Sequence, residues 1–345
     1  MLELINAERR KVDIDPVVLG ENTAAQLHAE SSLENCVLSH WGVDGLKPYM
    51  RYSLAGGYQS NGENGHGSDY CITASDGYRA IVSIDEAIRD AMDGWMNSPG
   101  HRRNILDRWH KKVNIGLAWD RYNIAAAQHF EGDYVEYNDL PVIEIGVLTI
   151  SGKAKHGVTF EEESDLGVQI YFDPPPHGLT RGQASRTYCY NYGNQVAGLR
   201  PPLRGNWYYP ENDFTRVHRP CPNPYDVPVY APPARSHNEA HEFWQAAYDA
   251  SQAREEELIT VPWITADEWT ISEFEIQNNQ WVEMKGVFSV KADLSHILTK
   301  HGEGVYSLIV WGSIGDERLV ISEYSIFHGI TPPDTYNFAV TQVEE

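Results

Sequence analysis

Three short segments of this sequence place histidine or glutamate beside residues that end helices and strands. They are Leu38-Ser39-His40-Trp41-Gly42, Asn61-Gly62-Glu63-Asn64-Gly65 and Gly94-Trp95-Met96-Asn97-Ser98-Pro99-Gly100-His101-Arg102-Arg103-Asn104-Ile105-Leu106. Gly, Pro and Asn interrupt regular elements, so side chains next to them tend to sit at the mouth of a cleft rather than in the middle of a face. There an imidazole can ligate a cation or move a proton near neutral pH, and a carboxylate can accept a proton or orient an imidazole. Competing chemistries lack their motifs: the sequence has no Gly-x-Ser-x-Gly elbow, no His-Glu-x-x-His and no phosphate-cradling glycine loop.

The elements that must position these segments read as mostly helical. Residues 3–11, 19–36 and 84–97 carry helical periodicity. Ala25, Ala29, Ser32, Leu33 and Cys36 share one face of the second. Ile84, Ala87, Ile88, Ala91 and Trp95 share one face of the third, whose early Asp85 and Glu86 suit the positive end of the helix dipole. His28 lies near the apolar stripe of the second helix and reads as a packed residue, and Trp41 and Trp95 read as core. The pattern then turns to strands at 113–119 and 122–130, a hairpin about Asp120-Arg121, followed by 134–137.

From about residue 140 the sequence changes character. Alternating runs such as VIEIGVLTISGKA, GVYSLIVWGSI and LVISEYSIFHG predict strands separated by turns, hence a β-sandwich. Between them lies a Pro-, Tyr- and Trp-rich stretch, about 173–236, expected to wrap the sandwich as a long ordered loop insert, followed by a helix at 237–255. The aromatic cluster Asn206-Trp207-Tyr208-Tyr209-Pro210 suits either a binding platform or, the favoured reading, a staple for a loop-rich domain. The expected division is 1–137, 138–335 and a tail at 336–345.

Composition sets outer bounds. The chain has 345 residues, 41% of them hydrophobic, and 27 basic against 49 acidic residues. That length suits two domains. The acidic balance argues against nucleic acid or an anionic membrane as partner, and no run is long and apolar enough to span a bilayer. Through residue 137 there are 13 basic and 20 acidic residues, and the remainder carries 14 and 29. Most of the acidity therefore serves to solvate the second part. Four cysteines fall two and two with no Cys-x-x-Cys pair; the expectation is one disulfide per half, Cys36–Cys71 and Cys189–Cys221, the alternative being four buried free thiols. A helix starting at residue 2 with no cap before it suggests that a leader precedes the given chain.

The order SH…GEN…WMNSPGHRRNIL, then NIGLAW, resembles the CAP superfamily of cysteine-rich secretory, antigen 5 and pathogenesis-related proteins, in its short prokaryotic form. The resemblance covers about residues 2–137. It implies an α+β fold, an α-β-α sandwich, here followed by an all-β sandwich-like domain. It also implies a cleft lined by two histidines, mapping to His40 and His101, and by the acid Glu63, the candidate catalytic residue. Longer members carry a second glutamate where this sequence has Ser98, so the four-residue set is incomplete. Ser39, Asn64 and Asn104 would border the cleft, and His66 is a further candidate ligand.

Two neutral imidazoles, His40 and His101, can hold a divalent cation such as Zn²⁺ weakly and exchangeably, with Glu63 orienting an imidazole or accepting a proton. The leading expectation is a secreted or envelope-associated protein that binds a small molecule, peptide or cell-surface polymer in this cleft, with a β-rich module for surface or partner binding. The alternatives are a metal-assisted hydrolase of peptide or cell-wall polymer, and a structural module with an unused cleft.

Overall fold

The helical periodicities of the first region become α1 (Leu2–Lys11), α2 (Ala24–Asn35), α3 (Pro48–Leu54), α4 (Ile84–Asn97) and α5 (Pro99–Leu106) in the computed structural model, which describes residues 1–333 other than 204, 206, 278 and 279. The expected tail at 336–345 and Asn206 of the aromatic cluster lie outside the described residues. Strands β1 (Val18–Leu19), β2 (Asn61–His66), β3 (Lys112–Trp119) and β4 (Ile124–Glu131) form a sheet ordered β1-β3-β4-β2. The predicted hairpin is β3–β4, with Ala118 opposite Ala125.

Two helical layers enclose this sheet. Ile5, Met92, Trp95 and Ile105 from α1, α4 and α5 pack on Val113, Ala126 and Phe130. On the other face α2 lies so close to β3 that a Cβ at Gly116 would sit 2.0 Å from the carbonyl oxygen of Ala25, so only glycine fits there. The result is the expected α-β-α arrangement. Ser83 caps α4 by accepting from the Glu86 amide. Helix α3 has no counterpart in the periodicity, because all seven of its residues are buried and no polar face betrays it.

The second region contains β5 (Val135–Glu144), β6 (Val147–Ala154), β7 (Gly167–Asp173), α6 (Arg181–Ala184), β8 (Asn194–Arg200), β9 (Asp213–His218), α7 (His237–Gln252), β10 (Glu257–Thr265), β11 (Glu268–Gln277), β12 (Gln280–Asp293), α8 (Ser295–His301), β13 (Gly304–Ile314) and β14 (Glu317–His328). One sheet runs β14-β13-β7-β8-β10-β9 and the other β11-β12-β6-β5. Their facing sides share an apolar core, with Leu148, Ile150, Phe288 and Val290 against Val168, Ile170, Leu308 and Val310. This is the expected sandwich. The predicted strand at 134–137 is the start of β5, which belongs to this second region's sheet.

The insert differs from a wrapping loop. It is ordered, but β8 and β9 within it pair with β7 and β10 and so extend the larger sheet. Proline and tyrosine hid these strands, because pairing rather than local preference decides them. Trp207 and Tyr208 are largely exposed, so they do not staple the domain, whereas Trp269 is buried in the sandwich core.

Both disulfides form as predicted, Cys36–Cys71 with Cα atoms 5.2 Å apart and Cys189–Cys221 at 5.4 Å. The regions also share apolar contacts. Leu46, Tyr49, Met50 and Leu54 pack on Val305, and Trp41 packs with Leu179 and Ala184. Polar bonds reinforce the junction: Lys47 Nζ to Asp173 at 2.6 Å, Tyr49 Oη to Asp173 at 2.8 Å, and the Ser325 amide to Ser53 Oγ at 2.9 Å. No described helix is long and apolar enough to cross a membrane.

Candidate functional site

The left-handed conformation of Cys36 (φ 49°) ends α2 and turns the chain toward His40. Ser39 Oγ accepts from the Trp41 amide at 3.0 Å and fixes the following turn. Glu63 arrives from the middle of β2, opposite His129 of β4, rather than from a loop. Its carboxylate is buried and fully engaged. Oε1 accepts from His40 Nδ1 at 2.9 Å, and Arg51 Nη2 reaches Oε1 at 3.2 Å and Oε2 at 2.9 Å.

Arg51 also ties this site to its own surroundings, because Nη1 donates to the carbonyls of His40 (2.9 Å) and Leu46 (2.7 Å). His28, buried as expected, bonds the Ser39 carbonyl at 2.9 Å and lies 3.9 Å from Glu63. Burial alone would raise the Glu63 pKa, but Arg51, followed by His28 and His40, outweighs it and holds the carboxyl well below the usual carboxylate range. Burial, aided by Arg51, depresses His28 to about 3. At neutral pH the core of the site is therefore an Arg⁺–Glu⁻ pair beside a neutral His28. A carboxylate so held is a poor proton acceptor and a good positioning group.

His40 bonds Glu63 through Nδ1, and its side chain remains 19% exposed. His101 lies in the first turn of α5. Burial, then the proximity of His40 and His66, depresses it to about 4, so it is neutral at physiological pH. His66 is also lowered by burial and meets Trp95 edge-on at 6.0 Å.

The bordering asparagines are structural. Asn64 Nδ2 donates to the His101 carbonyl and to Gln128 Oε1, while Asn104 Nδ2 donates to the Glu63 carbonyl and to Asn64 Oδ1. They lock β2 to α5. Ser98 marks the junction of α4 and α5, and its amide bonds the Gly94 carbonyl; none of its bonds reaches His40 or Glu63 among the described residues.

Tyr190, from the second region, packs its ring 4.2 Å from that of His40. Sequence reasoning missed Arg51 and Tyr190. Arg51 sits in a short segment with no amphipathic signal, and Tyr190 lies about 150 positions away. The doubled tyrosines flanking Cys189 were the only available hint of the latter.

Among the described residues no three His, Cys, Asp or Glu side chains converge as metal ligands. Glu63, otherwise eligible for a ligand set, is committed to Arg51 and His40.

Residues 2–129 match the Cysteine-rich secretory protein family (CAP). Among solved structures, an extracellular protein containing a SCP domain from Bacillus anthracis str. Ames is similar at 24% identity, with a TM-score of 0.30, over 38% of this chain and 38% of that one. The chain thus spans well under half of that relative. No curated protein matches.

Proposed function

Residues 2–129 being a domain of the Cysteine-rich secretory protein family (CAP), we propose that this chain is an extracellular or cell-envelope binding protein whose cleft at His40 and His101 takes a small molecule, peptide or cell-surface polymer. One observation carries this reading. The Glu63 carboxylate is buried and spent on Arg51 and His40, which makes it a poor proton acceptor beside His40 and the neutral His101. Such a site recognises and ligates. The two disulfides and the acidic surface support an extracellular setting. The β-sandwich serves surface or partner binding and, through Tyr190, shapes the cleft.

A divalent cation belongs to the proposal as a weak, exchangeable ligand on His40 and His101. When bound, it would supply a Lewis-acidic contact for an oxygen of the ligand. Binding should weaken only as the imidazoles protonate, and burial puts that point for His101 near 4.

Calorimetric titration with Zn²⁺ of the parent and of a His40→Ala/His101→Ala double variant tests the cation: heat from the parent and none from the variant is expected, and equal heats would remove the metal. A panel of peptides and soluble peptidoglycan fragments tests the binding assignment. The expected result is binding without turnover. Turnover that His101→Ala abolishes would overturn it in favour of the hydrolase.

A further inference from the structure

Between the two regions, walled by Tyr190 and reaching Glu63, lies a cavity of about 450 Å³. Its size falls in the roughly 300–1,000 Å³ range of small-molecule sites and leaves room for about two sugar rings. The first region contributes Tyr49, Asn61 and Glu63, whose carboxylate is already paired with Arg51; the second contributes Tyr171, Tyr192, Arg216 and Glu323.

The walls combine two kinds of surface. Tyr192 stands between Tyr49 (4.9 Å) and Tyr171 (5.0 Å), making a continuous run of rings. Faces of this kind cover the C–H side of a pyranose. Planar hydrogen-bonding groups lie among them, notably the buried Gln195 and the half-buried Asn61. The mixture suits a polyol better than an apolar ligand.

The charges sharpen the choice. Arg216 lies on edge strand β9, is largely exposed, and donates to Tyr171 Oη and Gln195 Oε1. It makes no ion pair among the described residues, whereas nearby Arg219 pairs with Glu256. A cation without a counter-ion is conspicuous in a region with 14 basic and 29 acidic residues. The carboxyl at the back, Glu323, is pushed by burial up to about 8 and is held by Tyr192 and Asn61. Protonated at neutral pH, it does not repel an anion. We propose that this interdomain cavity binds a carboxylate-bearing saccharide unit, its rings against Tyr171 and Tyr192 and its carboxylate on Arg216.

Both uronic acids and muramic acid carry this chemistry, so the test uses one of each. Titration of the full chain, followed by saturation-transfer NMR, would use glucuronate and N-acetylmuramic acid, with glucose and N-acetylglucosamine as neutral counterparts. At least one acid should bind more tightly than its neutral counterpart. Arg216→Gln, on an exposed side chain, should weaken that acid about tenfold, the loss of one charge-assisted bond, and leave the neutral sugar unchanged. His101→Ala should change neither. Absence of binding by both acids, equal binding of acid and neutral sugar, or an unchanged acid affinity in Arg216→Gln overturns the proposal. Loss of sugar binding in His101→Ala would also overturn it, by placing the sugar in the histidine cleft.

Discussion

In the first region Arg9, Lys47, Arg51, Glu63, Asp69 and Glu131 lie inside the fold, whereas in the second only Asp173 and Glu323 do so among the described residues. Those two sit at the junction: Asp173 holds Lys47 and Tyr49, and Glu323 meets Asn61. The sandwich core itself is apolar. The first region uses buried charge to fix chain segments that lack regular structure. Arg9 ties α1 to the carbonyls of Ile105 and Asp107 at the end of α5, and Arg51 ties His40 and Leu46 to Glu63. The second region obtains its stability from two apolar sheet faces and spends buried charge only where it must choose how to meet its neighbour. Polar groups thus specify both the surroundings of Glu63 and the junction.

The largest effect should come from breaking the charge pair of the first region. Arg51→Met leaves Glu63 buried without its counter-ion, and a loss of about 3–5 kcal/mol in stability is expected from denaturant melts. Next come the disulfides. Their loops are similar, with separations of 35 and 32 residues, so replacing either pair with serine should cost about 3 kcal/mol. A much smaller loss for Cys189–Cys221 would show that the insert is held by β8 and β9 alone.

The two regions should also separate by pH. His28 is depressed from 6.5 to about 3, so the unfolded chain takes up its proton first. Its stabilising contribution is full above 6.5 and is lost as pH falls toward 3. Glu323 is raised from 4.5 to about 8, the opposite sense. Its contribution is full below 4.5 and is lost as pH rises through 8. Melting temperature against pH should therefore fall on both sides, and Glu323→Gln should flatten the alkaline limb alone. An unaltered alkaline limb would place that loss elsewhere.

Much of this was legible in the sequence. Periodicity placed α2 and α4, the two-and-two grouping of the cysteines placed both disulfides, and alternating runs announced the sandwich. The motifs located His40, Glu63 and His101. What escaped has physical causes. PYMRYSL is buried on every side, so it shows no helical face, and an arginine within it reads as solvated. Gly62 and Gly65 disguise β2, which exists because its backbone pairs with β4. The strands of the insert likewise depend on partners distant in sequence. Glu63 was recognisable as important, but its role was not, since that role depends on Arg51 at 2.9 Å.

The central claim is that Glu63 positions His40 instead of acting as a base, and the ring itself can report this. Long-range ¹⁵N–¹H NMR of labelled protein at pH 8 resolves the His40 tautomer. The proton should reside on Nδ1, facing Glu63 Oε1 at 2.9 Å, with Nε2 bare and available to a ligand. A His40 ring protonated on Nε2 with Nδ1 bare would mean that Glu63 does not accept from it, and would contradict the account.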